Sequence, residues 1–478
     1  MNRRNFIKNA GVLGAGMMVD KNSLFAVTTT ASSFLTVRIP TQKRNFNSPA
    51  IEKAIDEFKS SVKNKELTWL FENCFPNTLD TTVFYSEIKG RPLTYVITGD
   101  IDAMWLRDSS AQVYPYINFM NDDPKLQKLI AGVINQQTEF ILKDPYANAF
   151  YNDDTKYTRW ESDHTEMKPG IHERKYELDS LCYPIRLAHA YWKRTNDVSP
   201  FDGQWKKAIE STLKVLKDQQ RKNGWGPYNF RRTTEWATDA VPMGGNGYTV
   251  NPVGLIASAF RPSDDATIFP FLIPSNFFAV VSLNQASEMI RAISKDTVLA
   301  DELMALSHEV REALNKYSVV NHPKYGAIYG FETDGFGSMY LSDDANVPNL
   351  LSLPYLGAVD RDDVIYNNTR KFVWSESNSF FFKGKAAEGI GGHHIGIDMI
   401  WPMSIIMKAL TSTSGQEVQD CIKVLQSTHA GTGFMHESFH KDDPKNFTRE
   451  WFAWQNTLFG ELIIKLIDDG KLDLLNSL

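Results

Sequence analysis

The 478-residue sequence is poor in cysteine, has no block of positive charge and has no apolar run of the ~20 residues that cross a membrane. Its three cysteines, Cys74, Cys182 and Cys421, form no C-x-x-C pair and have no histidine at ligand spacing, which excludes a disulfide framework and a thiolate zinc site. The 51 Lys and Arg residues are nearly balanced by 57 Asp and Glu residues. Nucleic acid and anionic membranes, which need a clustered basic face, are therefore excluded as partners.

The first 30 residues have the pattern of an export signal. Arg3 and Arg4 form a basic start and are followed by a stretch of small and apolar residues at 10–19. Residues 24–26 then end the signal, in the place where small residues mark a cleavage site. This pattern is typical of a bacterial twin-arginine signal, so we predict that residues 1–30 are removed and that the protein is exported to the bacterial periplasm. The apolar stretch is too short to span a bilayer, so no membrane span is predicted in the mature chain. An ordinary N-terminus with two arginines by chance is the alternative.

Residues 31–478 are predicted to form a single helical domain. The sequence is 42% hydrophobic and 23% charged, as in globular proteins, and no linker divides it after the Thr- and Ser-rich residues 28–33. Strand signals are short, as at residues 94–98 and 325–329. About ten to twelve helices joined by long polar loops predict an all-α toroid of antiparallel helix pairs, whose loops carry the function. Apolar residues recur at helical spacing at residues 126–141 and 299–314, and also near 50–64, 105–120, 174–193, 204–219, 276–294, 396–411, 415–427 and 450–468.

Two segments combine acidic, basic and aromatic side chains at predicted helix starts. Residues 99–109 read Gly-Asp-Ile-Asp-Ala-Met-Trp-Leu-Arg-Asp-Ser, and residues 175–180 read Lys-Tyr-Glu-Leu-Asp-Ser. A tryptophan beside Arg-Asp offers a flat apolar face with fixed donors and acceptors, which suits a sugar ring. Taken singly, Asp102 and Ser109 also suit simple helix capping.

Two adjacent carboxylates, Asp264 and Asp265, stand in the segment Phe-Arg-Pro-Ser-Asp-Asp-Ala at residues 260–266. Neighbouring side chains of this kind cannot both face one point. In the first turn of a helix the dipole would hold them ionised, whereas a general acid needs apolar walls or a nearby like charge to stay protonated.

Histidine and tryptophan cluster in three later segments: Gly-Ile-Gly-Gly-His-His-Ile-Gly at residues 389–396, Met-His-Glu-Ser-Phe at 435–439 and Arg-Glu-Trp-Phe-Ala-Trp-Gln-Asn at 449–456. A metal site at these histidines is disfavoured, because adjacent histidines do not readily share a face and no H-E-x-x-H motif completes a ligand set. Phosphate-loop and Gly-x-Ser-x-Gly motifs are also missing. Hydrolysis by paired carboxylates, without metal or cofactor, is the chemistry that remains.

The motifs at residues 105–109, 260–266, 435–439 and 449–454, in this order, resemble those of glycoside hydrolase family 125, the exo-α-1,6-mannosidases. The resemblance covers essentially the whole chain after the signal. It implies an (α/α)6 barrel and metal-independent removal, with inversion, of terminal non-reducing mannose from a mannose-containing oligosaccharide. It also implies Asp264 as general acid and Glu437 as general base, which in an inverting enzyme stand about 6.5–9.5 Å apart with a water between them.

Several alternatives stay open at this point. Asp265 is the alternative acid and His393 the alternative to His394, because the sequence does not say which of two neighbours points inward. Another helical glycosidase acting on α-glucosides and a non-catalytic glycan-binding protein are the alternative functions. The expected assembly is a monomer or a weak homo-oligomer.

The candidate sugar-binding residues are Asp102, Trp105, Arg107, Asp108, Arg261, His394, His436 and Trp454.

Overall fold

Helices form the frame of residues 34–478, the part of the chain that the computed structural model describes. The predicted export signal at residues 1–30 lies outside the described residues, and Arg38–Leu478 cluster as one compact unit. The described part contains twelve α-helices of eight residues or more, within the predicted range of ten to twelve. They are Pro49–Ser61, Lys65–Cys74, Leu106–Val113, Pro124–Lys143, Leu178–Thr195, Gly203–Gln219, Ile273–Met289, Thr297–Tyr317, Val364–Val373, Pro402–Leu410, Gly415–Thr428 and Ala453–Asp468.

One group of helices begins at side-chain caps that are visible in the sequence. Asp123 precedes the helix Pro124–Lys143, and its Oδ1 accepts hydrogen bonds from the N–H groups of Lys125 and Leu126 at 3.1 Å. Such a cap satisfies N–H groups that have no partner within the helix, and proline suits the first turn because it lacks an N–H. Ser48, Asn64, Asp202, Asp296, Asp363 and Ser414 cap six further helices in the same way.

A second group of five helices begins without a side-chain cap. In spatial order they are Pro402–Leu410, Ala453–Asp468, Leu106–Val113, Leu178–Thr195 and Ile273–Met289, each packed on the next. The residues before three of them, Trp105, Trp401 and Phe452, line one cavity. These N-termini, with their partial positive charge, therefore meet at one end of the helix group.

Short antiparallel sheets hold the starts of three of these helices. Each sheet includes the two residues just before or close to the helix start: Met104–Trp105, Phe271–Leu272 and Met399–Ile400. The fold is thus helix-rich, as predicted, with small sheets in its loops. The three sheets are Met104–Trp105 with Ala149–Phe150 and Ile171–Glu173, Phe271–Leu272 with Glu332–Thr333 and Met339–Tyr340, and Met399–Ile400 with Phe439–His440 and Asp443–Phe447.

The two predicted strands lie in hairpins. Arg91–Val96 pairs with Val83–Ile88, and Gly326–Tyr329 pairs with Val319–His322. A third two-stranded sheet joins Phe381–Lys383 and Glu388–Ile390.

Some helix boundaries differ from the periodicity. The predicted helix at residues 105–120 ends as an α-helix at Val113 and continues as the 3-10 helix Tyr114–Asp122, because Pro115 supplies no N–H for an α-helical hydrogen bond. The helix predicted at residues 396–411 begins only at Pro402.

One apolar core cluster includes residues from Ile51 to Leu475. The three cysteines are buried and free, as the sequence indicated. No helix within residues 34–478 combines the length and the apolarity needed to span a bilayer.

Candidate active site

A cavity of about 420 Å³ collects side chains from six separate stretches of the chain. Both predicted catalytic carboxyls, Asp264 and Glu437, line the cavity. Seven of the ten predicted site residues belong to its lining: Trp105, Arg107, Asp108, Asp264, His394, Glu437 and Trp454.

A tight turn aims Asp264 into the cavity. The N–H of Asp264 donates to the carbonyl of Arg261 at 2.9 Å, and the N–H of Arg261 donates to the carbonyl of Asp265 at 2.7 Å. Asp264 has a φ of 67°, in the left-handed region that Asp tolerates better than most residues. Lys175 Nζ donates to the Asp264 carbonyl at 2.8 Å, which holds the turn from behind. The side chain of Asp264 stays 21% exposed.

The same turn directs Asp265 into the protein. Its carboxylate accepts a hydrogen bond from Thr238 Oγ1 at 2.7 Å, and its side chain is 3% exposed. Of the two adjacent carboxyls, Asp264 is therefore the one that reaches the cavity.

Arg107 joins the carboxyls on one side of the cavity. Its Nη1 lies 2.5 Å from Glu177 Oε2 and 3.4 Å from Asp179 Oδ2, while Nη2 donates to Asp264 Oδ1 at 3.2 Å. The predicted role of Arg107 was sugar binding, but most of its donors are used by these protein carboxylates. A guanidinium with five donors in one plane suits such bridging.

Glu177 and Asp264 are neighbouring carboxyls that contact the two terminal nitrogens of the Arg107 guanidinium. Burial raises the pKa of Glu177 well above its usual range; Arg107 opposes this shift, and Asp264 adds to it. Burial also acts to raise the pKa of Asp264, but Arg107 and Lys175 outweigh it and hold that pKa below the ordinary value. The two directions together favour placing a proton on Glu177 over placing it on Asp264.

Asp108 is a further buried carboxyl in the cavity lining. Its Oδ2 has no hydrogen-bond partner among residues 34–478, although Arg107 Nε is 3.5 Å away. Burial raises the pKa of Asp108 to about 6, with Arg107 acting in the opposite direction.

Glu437 enters the cavity from a different loop. Its Oε1 lies 3.5 Å from Arg449 Nε, and its side chain is 7% exposed. Gln455 Nε2 donates to the Glu437 carbonyl at 2.7 Å, which ties this loop to the helix Ala453–Asp468.

The adjacent histidines point in different directions. His394 lines the cavity, with Nδ1 3.8 Å from Asp265 Oδ2. His393 instead contacts Arg261 Nη1 at 2.7 Å and packs against the Phe380 ring at a centroid distance of 4.2 Å. Burial, reinforced by Arg261, lowers the pKa of His393 to about 4, so this ring is neutral at pH 7. His394 is the histidine within reach of a ligand.

Aromatic side chains wall the cavity. Trp401 and Phe452 pack edge to face at 6.0 Å, and Trp454 packs edge to face on Tyr183 at 6.1 Å. The buried indole N–H groups of Trp105 and Trp401 have no hydrogen-bond partner among residues 34–478. Flat apolar faces with free donors at their edges suit a sugar ring.

Three predicted sugar-binding residues lie outside the cavity lining. Arg261 is buried behind it, where Nε donates to Glu332 Oε1 at 2.6 Å. The ring of His436 stacks on Phe447 at 4.0 Å, with Nδ1 2.8 Å from the carbonyl of Glu450. Asp102 is 63% exposed and pairs with Lys156. The structure thus gives Arg261 and His436 supporting positions in the loops, which differs from their predicted sugar contact.

Several lining residues were absent from the predicted set: Ile101, Asn346, Trp401, Arg449 and Phe452. Trp401, Arg449 and Phe452 lie in or beside the predicted segments, so position along the chain was a usable signal for them. Asn346 lies in none of those segments, and only the folded chain brings it to the cavity. Among residues 34–478, no group of three or more His, Cys, Asp or Glu side chains is arranged to hold a metal ion.

Two distant structural similarities concern the fold. A bacterial glucoamylase in complex with acarbose matches with a TM-score of 0.53 at 13% identity, covering 85% of this chain and 57% of that one. A family 78 rhamnosidase of Bacillus sp. GL1 matches with a TM-score of 0.52 at 12% identity, covering 83% and 34%. The chain thus has the helix-rich fold found in these glycosidases.

Closer similarities extend over nearly the whole chain. A Streptococcus pneumoniae protein from a family of metal-independent α-mannosidases, determined in a non-productive complex with α-1,6-mannobiose, has a TM-score of 0.85 and 39% identity, covering 89% of this chain and 99% of that one. The meiotically up-regulated gene 157 protein of Schizosaccharomyces pombe is 41% identical over 455 residues, which are 90% of this chain and 89% of that protein. The family model of the metal-independent α-mannosidases matches residues 64–464. The chain belongs to glycoside hydrolase family 125, as the motifs indicated.

Proposed function

We propose that this protein is an exo-acting α-1,6-mannosidase that removes terminal non-reducing mannose with inversion. The observation that carries the proposal is the meeting of Asp264 and Glu437 in one small cavity, from loops far apart in the sequence. Membership of the metal-independent α-mannosidase family supports the choice of sugar.

Asp264 is the proposed general acid, and Glu437 is the proposed general base. Asp264 protonates the glycosidic oxygen as the bond to the anomeric carbon breaks, and Glu437 takes a proton from the water that attacks the opposite face of the sugar. Arg449, whose Nε lies 3.5 Å from Glu437 Oε1, is the residue proposed to orient this carboxyl. We expect the two carboxyls to lie about 6.5–9.5 Å apart in the substrate complex, which leaves room for that water.

The cavity lining supports recognition of one terminal sugar residue. The apolar faces of Trp105 and Trp454 are the proposed packing surfaces, while Asp108 and His394 are the proposed partners of sugar hydroxyls. Exo action is proposed from the resemblance of the motifs to those of the exo-α-1,6-mannosidases. The α-1,6 linkage is proposed from the mannobiose found in the Streptococcus pneumoniae relative.

The test is proton NMR of the purified protein acting on α-1,6-mannobiose. Early appearance of β-mannose is the expected result, and early α-mannose would refute inversion. Asp264→Asn and Glu437→Gln should each reduce turnover of this substrate by ~10²–10⁴-fold. Cleavage of α-glucosides in preference to mannosides would favour the other helical glycosidases, and tight mannobiose binding without turnover would favour a glycan-binding protein.

We further propose an (α/α)6 barrel, a single catalytic domain at residues 31–478, export directed by residues 1–30 and a monomer or weak homo-oligomer. The twelve longer helices support the barrel, and the five uncapped helices packed in sequence support a ring of inner helices. The family has members in a bacterium and in a yeast, so membership does not by itself indicate a compartment. Location of this protein in the bacterial periplasm therefore stays a prediction from residues 1–30. Fractionation of cells expressing the chain with Arg3 and Arg4 changed to lysine tests export, and light scattering tests the assembly.

A further inference from the structure

Glu177 lies directly behind Asp264 and has no exposed side-chain surface. One of its oxygens, Oε2, is occupied by two donors: Arg107 Nη1 at 2.5 Å and Ser180 Oγ at 2.6 Å. The other oxygen, Oε1, faces Asn148 Nδ2 at 3.5 Å. That same Asn148 nitrogen lies 3.4 Å from Asp264 Oδ1. The two carboxyls therefore share both Arg107 and Asn148.

Two buried carboxyls that share these donors are most stable with one proton between them, because two charges side by side would repel. An ionised carboxylate only accepts hydrogen bonds, so two carboxyls can bond to each other only when one of them is protonated. Oε2 of Glu177 already accepts two hydrogen bonds, which leaves Oε1, the oxygen on the Asn148 and Asp264 side, as the place for the proton. Burial raises the pKa of Glu177, and this agrees with the geometry. The charged and titratable groups that face the pair are Arg107, Lys175, Arg449, His172, His394, Asp108, Glu173 and Asp179.

We propose that Glu177 stores the proton that Asp264 delivers to the leaving group. This proposal rests on the assignment of Asp264 as the general acid. It makes Glu177 a positioning residue, because it acts through Asp264 and does not reach the cavity. Glu177 belongs to residues 175–180, one of the two segments that combine acidic, basic and aromatic side chains. The proposal gives this segment a role in proton supply.

The proposed step moves one proton and conserves charge. In the resting pair Glu177 is neutral and Asp264 is a carboxylate. When the sugar fills the cavity, the proton passes from Glu177 to Asp264, and Asp264 gives it to the glycosidic oxygen as the bond from that oxygen to the anomeric carbon breaks. Glu437 accepts a proton from the water whose oxygen bonds to the anomeric carbon. Afterwards Glu437 releases its proton to solvent, and a solvent proton re-enters the pair through the partly exposed Asp264.

The experiment compares Glu177→Gln with the unchanged enzyme on two substrates. α-1,6-Mannobiose has a leaving group that must be protonated, whereas 2,4-dinitrophenyl α-mannoside releases an acidic phenol that needs no proton. We expect turnover of mannobiose to fall by about 10²-fold and turnover of the dinitrophenyl substrate to change by less than about threefold. Glutamine keeps the size of the side chain and a donor toward Asp264, so the loss isolates the missing proton.

The pH profile provides a second readout. In the unchanged enzyme the basic limb of kcat/KM for mannobiose reports loss of the single proton of the pair, which is unfavourable because two buried charges then stand side by side. In Glu177→Gln, Asp264 titrates alone beside Arg107 and Lys175. We expect the basic limb to move to lower pH by more than about one unit. Glu177→Asp, which restores a carboxyl, should recover part of the activity and return the limb toward its original position.

Two controls separate the possible failures. Asp179→Asn removes another carboxylate from the same Arg107 guanidinium, and we expect it to affect both substrates equally. Asp264→Asn tests the underlying assignment: selective loss of mannobiose turnover supports Asp264 as the acid. Suppose that Asp264→Asn lowers only the turnover of mannobiose, while Glu177→Gln lowers the turnover of both substrates equally or of neither. The role of Glu177 as a proton store is then refuted, and the assignment of Asp264 as the acid stands. If Asp264→Asn is not selective, both proposals fail.

Discussion

Replacing Arg107 with methionine should destabilise the protein strongly, and more so at high pH than at low pH. Its guanidinium is 4% exposed and lies within 3.5 Å of carboxyl oxygens of Glu177, Asp179 and Asp264. Removing one partner of a buried ion network costs about 3–5 kcal/mol, because the remaining charges stay buried without compensation. With an unfolding entropy of about 2.1 cal/mol/K per residue, a chain of this size loses roughly one degree of Tm per kcal/mol. The expected decrease in Tm is therefore about 3–5 °C.

The sign of the pH dependence follows from the carboxyls that Arg107 serves. Burial already raises the pKa of Asp179 to about 6 in the presence of Arg107, which lowers it. Without Arg107 the folded-state pKa values of Asp179 and Glu177 rise further above the unfolded values of about 4. A carboxyl with a raised folded-state pKa favours folding below its unfolded pKa, and this contribution is lost as the pH rises through the folded pKa. The stability difference between variant and unchanged protein should thus be small near pH 5 and largest near pH 8.

The assay is thermal unfolding at pH 5 and pH 8 with Arg291→Met as the matched control. Arg291 pairs with Asp301 at the surface, where both side chains are about half exposed or more, and such pairs contribute about 0–1 kcal/mol. A Tm for Arg107→Met equal to that of Arg291→Met, or a loss of the same size at both pH values, would refute the network as a source of stability.

Three further predictions concern catalysis. Trp401→Phe removes a buried N–H that has no partner among residues 34–478, so KM for mannobiose should rise roughly tenfold at most, as for one lost hydrogen bond to the sugar. Trp205→Phe, in a remote helix, is the control: both tryptophans are buried, so the two variants should lower Tm similarly, and only Trp401→Phe should raise KM. Asp265→Asn should retain far more activity than Asp264→Asn, since Asp265 bonds to Thr238; equal losses in kcat would contradict the assignment of the acid. Dialysis against EDTA should leave the rate unchanged, as the family description implies, and recovery of a lost rate on addition of calcium or zinc would contradict this expectation.

Local sequence signals determined most of the helices. The apolar spacing at residues 126–141 and the Asp-Pro pair at 123 and 124 act within a few residues, so the helix Pro124–Lys143 was predictable. The short strand signal at residues 94–98 overlaps only the end of the strand Arg91–Val96, which forms one half of a hairpin. The helix Leu106–Val113 was harder to bound, because its start depends on pairing with Ala149–Phe150 and not on a cap.

The motifs point to the family and to the two carboxyls, Asp264 and Glu437, which both line one cavity. They did not distinguish between adjacent side chains. Asp264 and Asp265 carry the same chemistry, and the left-handed backbone at Asp264 directs one to the cavity and the other to Thr238. His393 and His394 are separated in the same way by the contact of His393 with Arg261.

The sequence by itself determined helices, caps, the order of the motifs and the family to which they point. Only the tertiary structure decided the electrostatics of the site, because its decisive contacts join residues far apart in the chain. Arg107 meets Glu177 across 70 positions and Asp264 across 157. No periodicity or spacing encodes such a meeting, since the charge on each carboxyl depends on burial and on neighbours that only folding brings together.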